Sequence, residues 1–119
     1  MLHGRCRIIL QTDWDGAACD AMIALHARRS AESVERFHAA NPGHRGLCVV
    51  LTGTDLYRDL PESAAAARSL DLADRIVVLQ EDARRILAAR WRTKAEVIYQ
   101  SARFLAPARK PRDVLRCLA

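Results

Sequence analysis

The sequence LCVVL at residues 47–51, followed by TGTD at residues 52–55, decides the fold of this chain. A continuous apolar run of this length, rich in β-branched residues and closed by a glycine-containing turn, is typical of a buried strand in a parallel sheet. Similar runs occupy residues 21–25 (AMIAL), 75–79 (RIVVL) and 95–99 (AEVIY), and residues 6–10 (CRIIL) predict a further strand ahead of them. The sequence therefore predicts five strands.

Helical patterns fill the intervals between these runs. Residues 30–38 place apolar side chains at helical spacing, with Ser30 as a candidate N-cap and Asn-Pro-Gly at residues 41–43 as a stop signal. A second helix is predicted over residues 61–73, where Asp59 and Glu62 can form a capping box.

A third helix is predicted to begin at Glu81, with an apolar stripe formed by Ala83, Ile86, Leu87 and Trp91. Strands that alternate with helices favour a parallel sheet, and the right-handed rule for such crossovers gives a Rossmann-like fold of the α/β class. We expect a three-layer α/β/α sandwich with a mostly parallel sheet.

Length and composition bound the class of protein. The 119 residues suit one domain, and half of them are apolar while 28% are charged, as in an ordinary globular protein. We predict the domain over residues 1–102 and a linker or tail over residues 103–119, where Pro107 and Pro111 lie among basic residues. No apolar run approaches the roughly 20 residues that span a membrane, and no signal-peptide pattern is present, so we expect a cytoplasmic protein without a membrane partner.

Several kinds of chemistry are disfavoured. The four cysteines are widely spaced and form no C-x-x-C pair, which favours buried free thiols over a zinc site or disulfides. No P-loop, dinucleotide-binding glycine motif or nucleophile elbow is present, and no histidine pair has metal-ligand spacing, so we expect neither a metal nor a cofactor. The net charge of +5 would suit nucleic acid, but the aromatic content of 5% disfavours that partner.

Polar residues follow the predicted strands, and ligands of open α/β sheets bind beyond the carboxyl ends of the strands. The candidate substrate-binding residues are His26, Arg28, Arg29, Ser30, Thr52, Gly53, Thr54, Asp55, Gln80, Gln100 and Ser101. The HARRS sequence at residues 26–30 combines an imidazole, two guanidinium groups and a helix N-terminus, which suits an oxyanion such as phosphate. The alternative interpretation is a partly buried histidine beside two solvated arginines.

The turn at residues 52–55 also has two interpretations. Its glycine lets a ligand approach the backbone, its threonine hydroxyls can donate hydrogen bonds, and Asp55 can orient a sugar or accept a proton. Alternatively, it is an ordinary strand-to-helix turn in which Thr54 or Asp55 serves as a cap. The residues alone therefore indicate an α/β domain that binds an anion or a sugar.

Several segments carry a resemblance to a known family. They occur in a fixed order, as WDG at residues 14–16, IALHARRSA at 23–31, VLTGTDLY at 50–57, ADRIVVLQ at 73–80 and IYQS at 98–101. Over roughly residues 5 to 102, the chain resembles the N-terminal domain of the selenosugar synthase family of selenoneine biosynthesis, whose members are similar to family 4 glycosyltransferases. The ALHARRSA and LTGTDLY segments are the most specific part of this resemblance.

The resemblance implies half of a GT-B enzyme, in which two Rossmann-like domains face each other across a cleft. Such an enzyme transfers a sugar from a UDP-sugar to selenophosphate, and no metal is expected to be essential. The C-terminal domain holds most of the UDP-sugar, and the N-terminal domain presents the acceptor. His26, Arg28, Arg29 and residues 52–55 are then expected to face the selenophosphate or the transferred sugar.

The resemblance also implies that the chain as given is incomplete and inactive by itself. Family members carry a further strand, a glycine-containing loop and a helix before the position of Cys6, and a donor-binding domain after the region seen here. Because that further strand normally lies in the middle of the sheet, we expect either pairing between chains through exposed sheet edges, giving a homo-oligomer, or a rearranged sheet.

Two other functions remain open from the sequence. In the first alternative, the same strand-end residues form a non-catalytic module that binds a phosphate-bearing metabolite or a partner protein. In the second, the basic surface binds nucleic acid, which would make binding steeply dependent on salt.

Overall fold

A computed structural model describes residues 6–101 of the chain. Four strands form one sheet, namely β1 (Met22–Leu25), β2 (Leu47–Val50), β3 (Arg75–Val78) and β4 (Ala95–Val97). All three pairs of neighbouring strands are parallel, and the strands lie in chain order, β1-β2-β3-β4. The helices between them are α1 (Ala31–Ala40), a π-helical turn (Asp55–Asp59), α2 (Ala64–Leu72), α3 (Glu81–Ile86) and α4 (Ala89–Arg92). The predicted Rossmann-like α/β fold is thereby confirmed.

The helices within residues 6–101 share one hydrophobic core with one face of the sheet. A sheet that grows in one direction by right-handed crossovers keeps its helices on the same side. Alternate strand residues, among them Ala24, Val49, Ile76 and Ala95, are accordingly at most 4% exposed and pack against Phe37 of α1, Leu70 of α2 and the Leu87 and Trp91 side chains. The second helical layer of the expected sandwich is not formed by the part of the chain that the structure describes.

The predicted first strand is wrong. Residues 6–10 are irregular and lie outside the sheet, and Ile8, Ile9 and Leu10 are 66%, 56% and 91% exposed. An apolar run becomes a strand only where a neighbouring strand supplies hydrogen-bond partners. Here β1 is an edge strand, and residues 6–10 do not extend the sheet beyond it.

Two helix boundaries also differ from the prediction. The second helix begins at Ala64, three residues after the predicted start, and its N-cap is Ser63, whose Oγ accepts a hydrogen bond from the Ala66 N–H at 3.2 Å. Asp59 belongs instead to the π-helical turn, so the predicted Asp59–Glu62 capping box is not formed. A π-helix of a single turn is too short to produce a repeating pattern of apolar residues, so the sequence does not predict it.

The predicted third helix is two short helices. Leu87 and Ala88 adopt extended backbone angles between α3 and α4, which lets Leu87 and Trp91 both reach the core. Arg92 donates from Nη2 to the carbonyl oxygens of Arg85 and Leu87 at the break. Ile86, expected in the apolar stripe, is consequently 55% exposed.

The cysteines and the tail complete the comparison with the sequence. Cys19 and Cys48 carry free thiols. Cys6 and Cys19 are exposed and Cys48 is partly buried, so the expectation of buried thiols is wrong for Cys6 and Cys19. Cys117 and the predicted linker lie outside the described residues.

None of the helices in residues 6–101 has the length and apolar character needed to cross a membrane.

Candidate functional site

The loops that follow β1 and β2 meet at the carboxyl edge of the sheet. The His26 N–H donates to the Val50 carbonyl at 3.0 Å, continuing the pairing of the two strands beyond Leu25. The two segments that carry most of the family resemblance, residues 26–31 and 51–57, are therefore neighbours in space. A parallel sheet produces this arrangement because consecutive parallel strands end at the same edge.

Asp55 connects these two loops from within the protein. Its carboxylate is fully buried and accepts three backbone hydrogen bonds, from Ala27 N–H (3.0 Å), Thr52 N–H (2.8 Å) and Leu56 N–H (3.1 Å). Ser69 of α2 supports the same loop, because its buried Oγ donates to the Ala27 carbonyl at 2.8 Å. Thr54 holds the N-cap position of the π-helical turn without a side-chain cap hydrogen bond, and Asp55 is the first residue of that turn, so the predicted side-chain cap is not formed. Asp55 instead ties the two loops together, and no ligand can reach its carboxylate in this conformation.

The outer side of the turn at residues 52–55 is open. Gly53 has a φ of +107°, a conformation that favours glycine, and no atom lies within 4 Å of the position that a Cβ would occupy there. Thr52 and Thr54 are exposed on either side of it. The N–H and the hydroxyl of Thr52 both donate to Asp55 Oδ1, at 2.8 and 3.5 Å, so the turn offers a ligand the Gly53 backbone and the exposed Thr54 side chain.

His26 is buried and strained rather than free to bind a ligand. It is the one non-glycine residue within residues 6–101 with a positive φ, +75°, and it is 8% exposed. Its Nδ1 accepts the Arg29 N–H at 3.4 Å, and its Nε2 lies 3.5 Å from Asp59 Oδ2. These neighbours favour the tautomer with the proton on Nε2, since Nδ1 acts as an acceptor.

Asp59 is a member of the site that the sequence analysis did not identify. Its Oδ2 lies 3.1 Å from Arg28 Nε as well as 3.5 Å from His26 Nε2, and its side chain is only 11% exposed. The contacts are electrostatic, because within the described residues this oxygen has no partner in hydrogen-bond geometry. Asp59 reaches His26 and Arg28 because the π-helical turn, closed by Leu60 N–H donating to Asp55 C=O at 2.7 Å, carries it back over β1.

The Asp59 contact leaves most of the Arg28 guanidinium available. Only Nε faces the carboxylate, and the Arg28 side chain is 54% exposed. Arg29 beside it is also exposed. A planar guanidinium with free Nη groups is suited to bidentate contact with an oxyanion.

Ser30 holds the predicted N-cap position of α1, but its side chain makes no cap hydrogen bond to the helix. Its Oγ donates to the Leu25 carbonyl at 2.7 Å, and α1 has no hydrogen bond from its first turn to an N-cap side chain. The first-turn amide groups of a ten-residue helix thus keep their positive end close to Arg28 and Arg29. Together the two arginines, the α1 terminus and the Gly53 turn make a donor-rich surface, which we term the strand-end site. The carboxylates of Asp59, beside Arg28, and of Glu32, in the first turn of α1, offset part of its positive charge.

The remaining predicted residues lie further along the same edge. Gln80 is exposed after β3, and its Nε2 donates to the Tyr57 hydroxyl at 2.8 Å, which connects it to the π-helical turn. Gln100 and Ser101 are exposed after β4 and form no hydrogen bond or ion pair with the other predicted residues within the described part of the chain. The structure therefore brings the predicted residues after β1 and β2 together. Gln80 is connected to them only by its hydrogen bond to Tyr57, and Gln100 and Ser101 lie apart from them.

An apolar groove borders the strand-end site. It has a volume of about 410 Å³ and is lined by Leu56, Tyr57, Leu60, Pro61, Ile86, Ala88 and Trp91. Trp91 is fixed there because its Nε1 donates to Asp71 Oδ1 at 2.6 Å, and this hydrogen bond holds the pKa of Asp71 below its ordinary value. The groove adds an apolar surface next to the polar donors.

The strand order limits what kind of site this is. In doubly wound sheets, the ligand crevice forms where the strand order reverses. Within residues 6–101 the order runs in one direction without reversal, so the site is formed by strand-end loops and not by a crevice between two halves of the sheet.

Neither a scan against protein-family profiles nor a search of curated proteins finds a match for this chain.

Proposed function

We propose that this chain is the acceptor-side part of a glycosyltransferase similar to the selenosugar synthases, and that its strand-end site binds selenophosphate. One observation carries the proposal: Arg28, whose Nε lies 3.1 Å from the largely buried Asp59 carboxylate, presents a half-exposed side chain beside the α1 terminus and the open Gly53 turn. Guanidinium groups and helix N-termini are the groups that proteins use to bind phosphate oxygens. The ALHARRSA and LTGTDLY segments, which carry the resemblance, supply Arg28, the start of α1 and Gly53, and Asp59 lies two residues after the second segment.

The reaction needs binding and alignment more than proton transfer. Selenium of selenophosphate attacks the anomeric carbon of the UDP-sugar, a carbon–selenium bond forms, and the bond from that carbon to the UDP oxygen breaks as UDP leaves. Hydrolysis of the phosphorus–selenium bond in this product then transfers the phosphoryl group to water and gives the selenosugar and phosphate. Selenophosphate is already ionised, so the acceptor requires no general base. This agrees with the burial of His26 and Asp55, whose polar atoms face other protein groups.

The UDP-sugar is the second substrate and is assigned to a donor-binding domain by the resemblance. We therefore propose that the chain by itself binds the acceptor but does not complete the transfer. Mass spectrometry is the direct test, with selenophosphate and UDP-glucose or UDP-N-acetylglucosamine added either to this chain or to a longer protein that carries a donor-binding domain. A selenosugar from the longer protein alone is expected, and no product from either would overturn the assignment.

Binding of the acceptor can be tested on this chain directly. Titration with inorganic phosphate, followed by calorimetry and by NMR of the Arg28 Nε–H, should show binding that Arg28→Ala abolishes. Asp59→Asn should weaken binding roughly tenfold, equivalent to about 1.4 kcal/mol, because the neutral amide no longer orients Arg28. Arg84→Ala is the matched control, since Arg84 is exposed on α3 and lies outside the strand-end site. Equal affinities in the Arg28 and Arg84 variants would place phosphate elsewhere.

A non-catalytic module is the second candidate, and a specific observation favours it. The described site offers oxyanion-binding groups but no exposed acid or base among His26, Asp55 and Asp59. A module that binds a phosphate-bearing metabolite would need nothing more. Tight phosphate binding together with no transfer by the longer protein would support this candidate over the enzyme.

A further inference from the structure

The sheet face opposite the helices is apolar and open. Ile23 and Leu25 of β1 are 65% and 58% exposed, and Cys48, Val50 and Val77 of the next two strands are only partly buried. These residues alternate along each strand with the buried residues of the core, so they share the opposite face. The face is continuous across β1, β2 and β3 because the register places Ile23 beside Cys48, and Leu25 beside Val50 and Val77.

An open face of this kind is unusual for a parallel sheet. Parallel sheets occur almost only where both faces are covered, and their strands are apolar on both sides for that reason. A contiguous exposed apolar patch in a folded protein marks an interaction surface. The sequence LCVVL, with apolar residues on both faces of β2, fits a covered sheet better than an open one.

Two charges complete this face in a specific pattern. Arg75 is exposed on β3 in the row that contains Ile23 and Cys48. Glu96 is exposed on β4 in the neighbouring row, beside Val77. Within residues 6–101, neither Arg75 nor Glu96 forms an ion pair. One row thus ends in a cation and the next row ends in an anion.

We propose that a second copy of this chain covers the open face, with a twofold axis that runs across the strands between the two rows. Such an axis exchanges the rows, so Ile23 packs on the partner's Leu25 and Cys48 packs on the partner's Val50. Arg75 then lies opposite the partner's Val77. The partner's Glu96, on the strand next to that valine, is within reach of the Arg75 side chain. The face is therefore complementary to itself in both apolar character and charge, as an interface with twofold symmetry requires.

The size of the face predicts a reversible dimer. Four strands at about 4.8 Å spacing, each of about four residues at about 3.3 Å rise, make a face of roughly 250 Å², which is small beside a standard interface of about 800 Å² per partner. The dimer should consequently form with rising protein concentration rather than being permanent. It differs from strand pairing at the sheet edges, because the contact is face to face and leaves the β1 and β4 edges free. The proposal does not depend on the glycosyltransferase assignment.

Analytical ultracentrifugation of the full 119-residue chain from micromolar to millimolar concentration tests the dimer. We expect dimer to accumulate with concentration, and Ile23→Asp should keep the chain monomeric throughout. Ile86→Asp is the matched control, because Ile86 is similarly exposed, at 55%, but lies on α3 on the helical side. Circular dichroism should confirm that both variants stay folded. A wild-type chain that stays monomeric, or a dimer that survives Ile23→Asp, would overturn the proposal.

The charge pattern tests the arrangement itself. Glu96→Arg places two cations together across the interface and should weaken the dimer at least tenfold. Combining Glu96→Arg with Arg75→Glu reverses both charges and should restore the dimer to near wild-type strength. A double variant no stronger than Glu96→Arg alone would contradict the exchange of rows.

Cys48 provides a readout at the face. Its half-buried thiol lies between Ile23 and Arg75, and burial raises its pKa. Alkylation of Cys48 by iodoacetamide should slow as protein concentration rises, whereas alkylation of the exposed Cys19 should not change. Protection of Cys48 to the same extent at every concentration would mean that the chain covers its own face, which would overturn the second copy.

Discussion

At the scale of single residues, Asp55, Asp59 and His26 have separate structural roles near the carboxyl edge of the sheet. Asp55 is sealed inside and holds backbone amides, whereas Asp59 is almost sealed and faces the two basic groups His26 and Arg28. The first carboxylate fixes the shape of the loops, and the second sets the direction of Arg28. His26 accepts a positive φ between them, a strain that persists only where surrounding contacts hold it.

Replacing Asp55 by alanine should destabilise the chain by about 3 kcal/mol, because three backbone N–H groups lose a charged acceptor. Urea unfolding followed by circular dichroism measures the change. Asp82→Ala is the control, since its side chain is 80% exposed and its ion pair with Arg85 contributes less than about 1 kcal/mol. A similar loss in both variants would show that Asp55 has no special role.

At the scale of elements, a side-chain cap starts α2, and side-chain hydrogen bonds join α2 to α4. Ser63 starts α2, and Asp71 near the end of α2 accepts hydrogen bonds from Trp91 Nε1 and Arg90 Nε of α4. Lys94 donates from Nζ to the carbonyls of Ala73 and Asp71, so the α2 terminus is held by the segment before β4. Burial lowers the pKa of Lys94, although nearby carboxylates oppose that shift.

The N-cap of α2 gives a prediction that separates Ser63 from Glu62. Ser63→Ala should lower the free energy of unfolding by about 1 kcal/mol, since the Ala66 N–H loses its acceptor. Glu62→Ala should change it by less than about 0.5 kcal/mol, because Glu62 is exposed and caps nothing. Chemical denaturation of both variants measures the difference. A larger loss of unfolding free energy in Glu62→Ala than in Ser63→Ala would instead support a helix that begins at Pro61.

The joint between α2 and α4 predicts a dependence on pH. The Trp91 hydrogen bond lowers the pKa of Asp71 in the folded chain, so the unfolded chain binds more protons in acid. The stability that Asp71 contributes is present above its unfolded pKa and is lost as pH falls through the lower folded value. Below about pH 4, unfolding free energy should therefore fall less steeply in Asp71→Asn than in the wild type. Trp91→Phe should flatten the curve similarly, and an unchanged slope in both variants would argue against the joint.

At the scale of the whole molecule, residues 6–101 cover one face of the sheet and leave the other face open. The covered face joins all four helices in a single core, and the open face carries Ile23 and Leu25. Two isoleucines on nearby strands should report this difference. The buried Ile76 belongs to the core, whereas Ile23 is 65% exposed on the other side.

We expect Ile76→Ala to destabilise the chain by about 3 kcal/mol, because it removes a fully buried side chain and leaves a cavity. Ile23→Ala should cost less than about 1 kcal/mol at micromolar concentration, where the proposed dimer is not populated. Urea unfolding at one low protein concentration compares the two. Equal losses would mean that the second face is covered within a single chain.

Much of this molecule was determined by the sequence itself. Apolar runs around Val49 and Ile76 form strands, helices fill the intervals, and the loops after β1 and β2 hold the predicted site residues. Local patterns sufficed there because a short run of β-branched residues and an amphipathic repeat each favour one backbone conformation.

Tertiary structure decided the rest. Residues 6–10 have the composition of a strand but no neighbouring strand to pair with, and pairing is a property of the whole sheet. Asp59 looked like a helix cap until the π-helical turn carried it to His26 and Arg28, residues about thirty positions earlier in the chain. The direction of strand order, which left one face of the sheet open, likewise depends on how crossovers pack and not on any single segment.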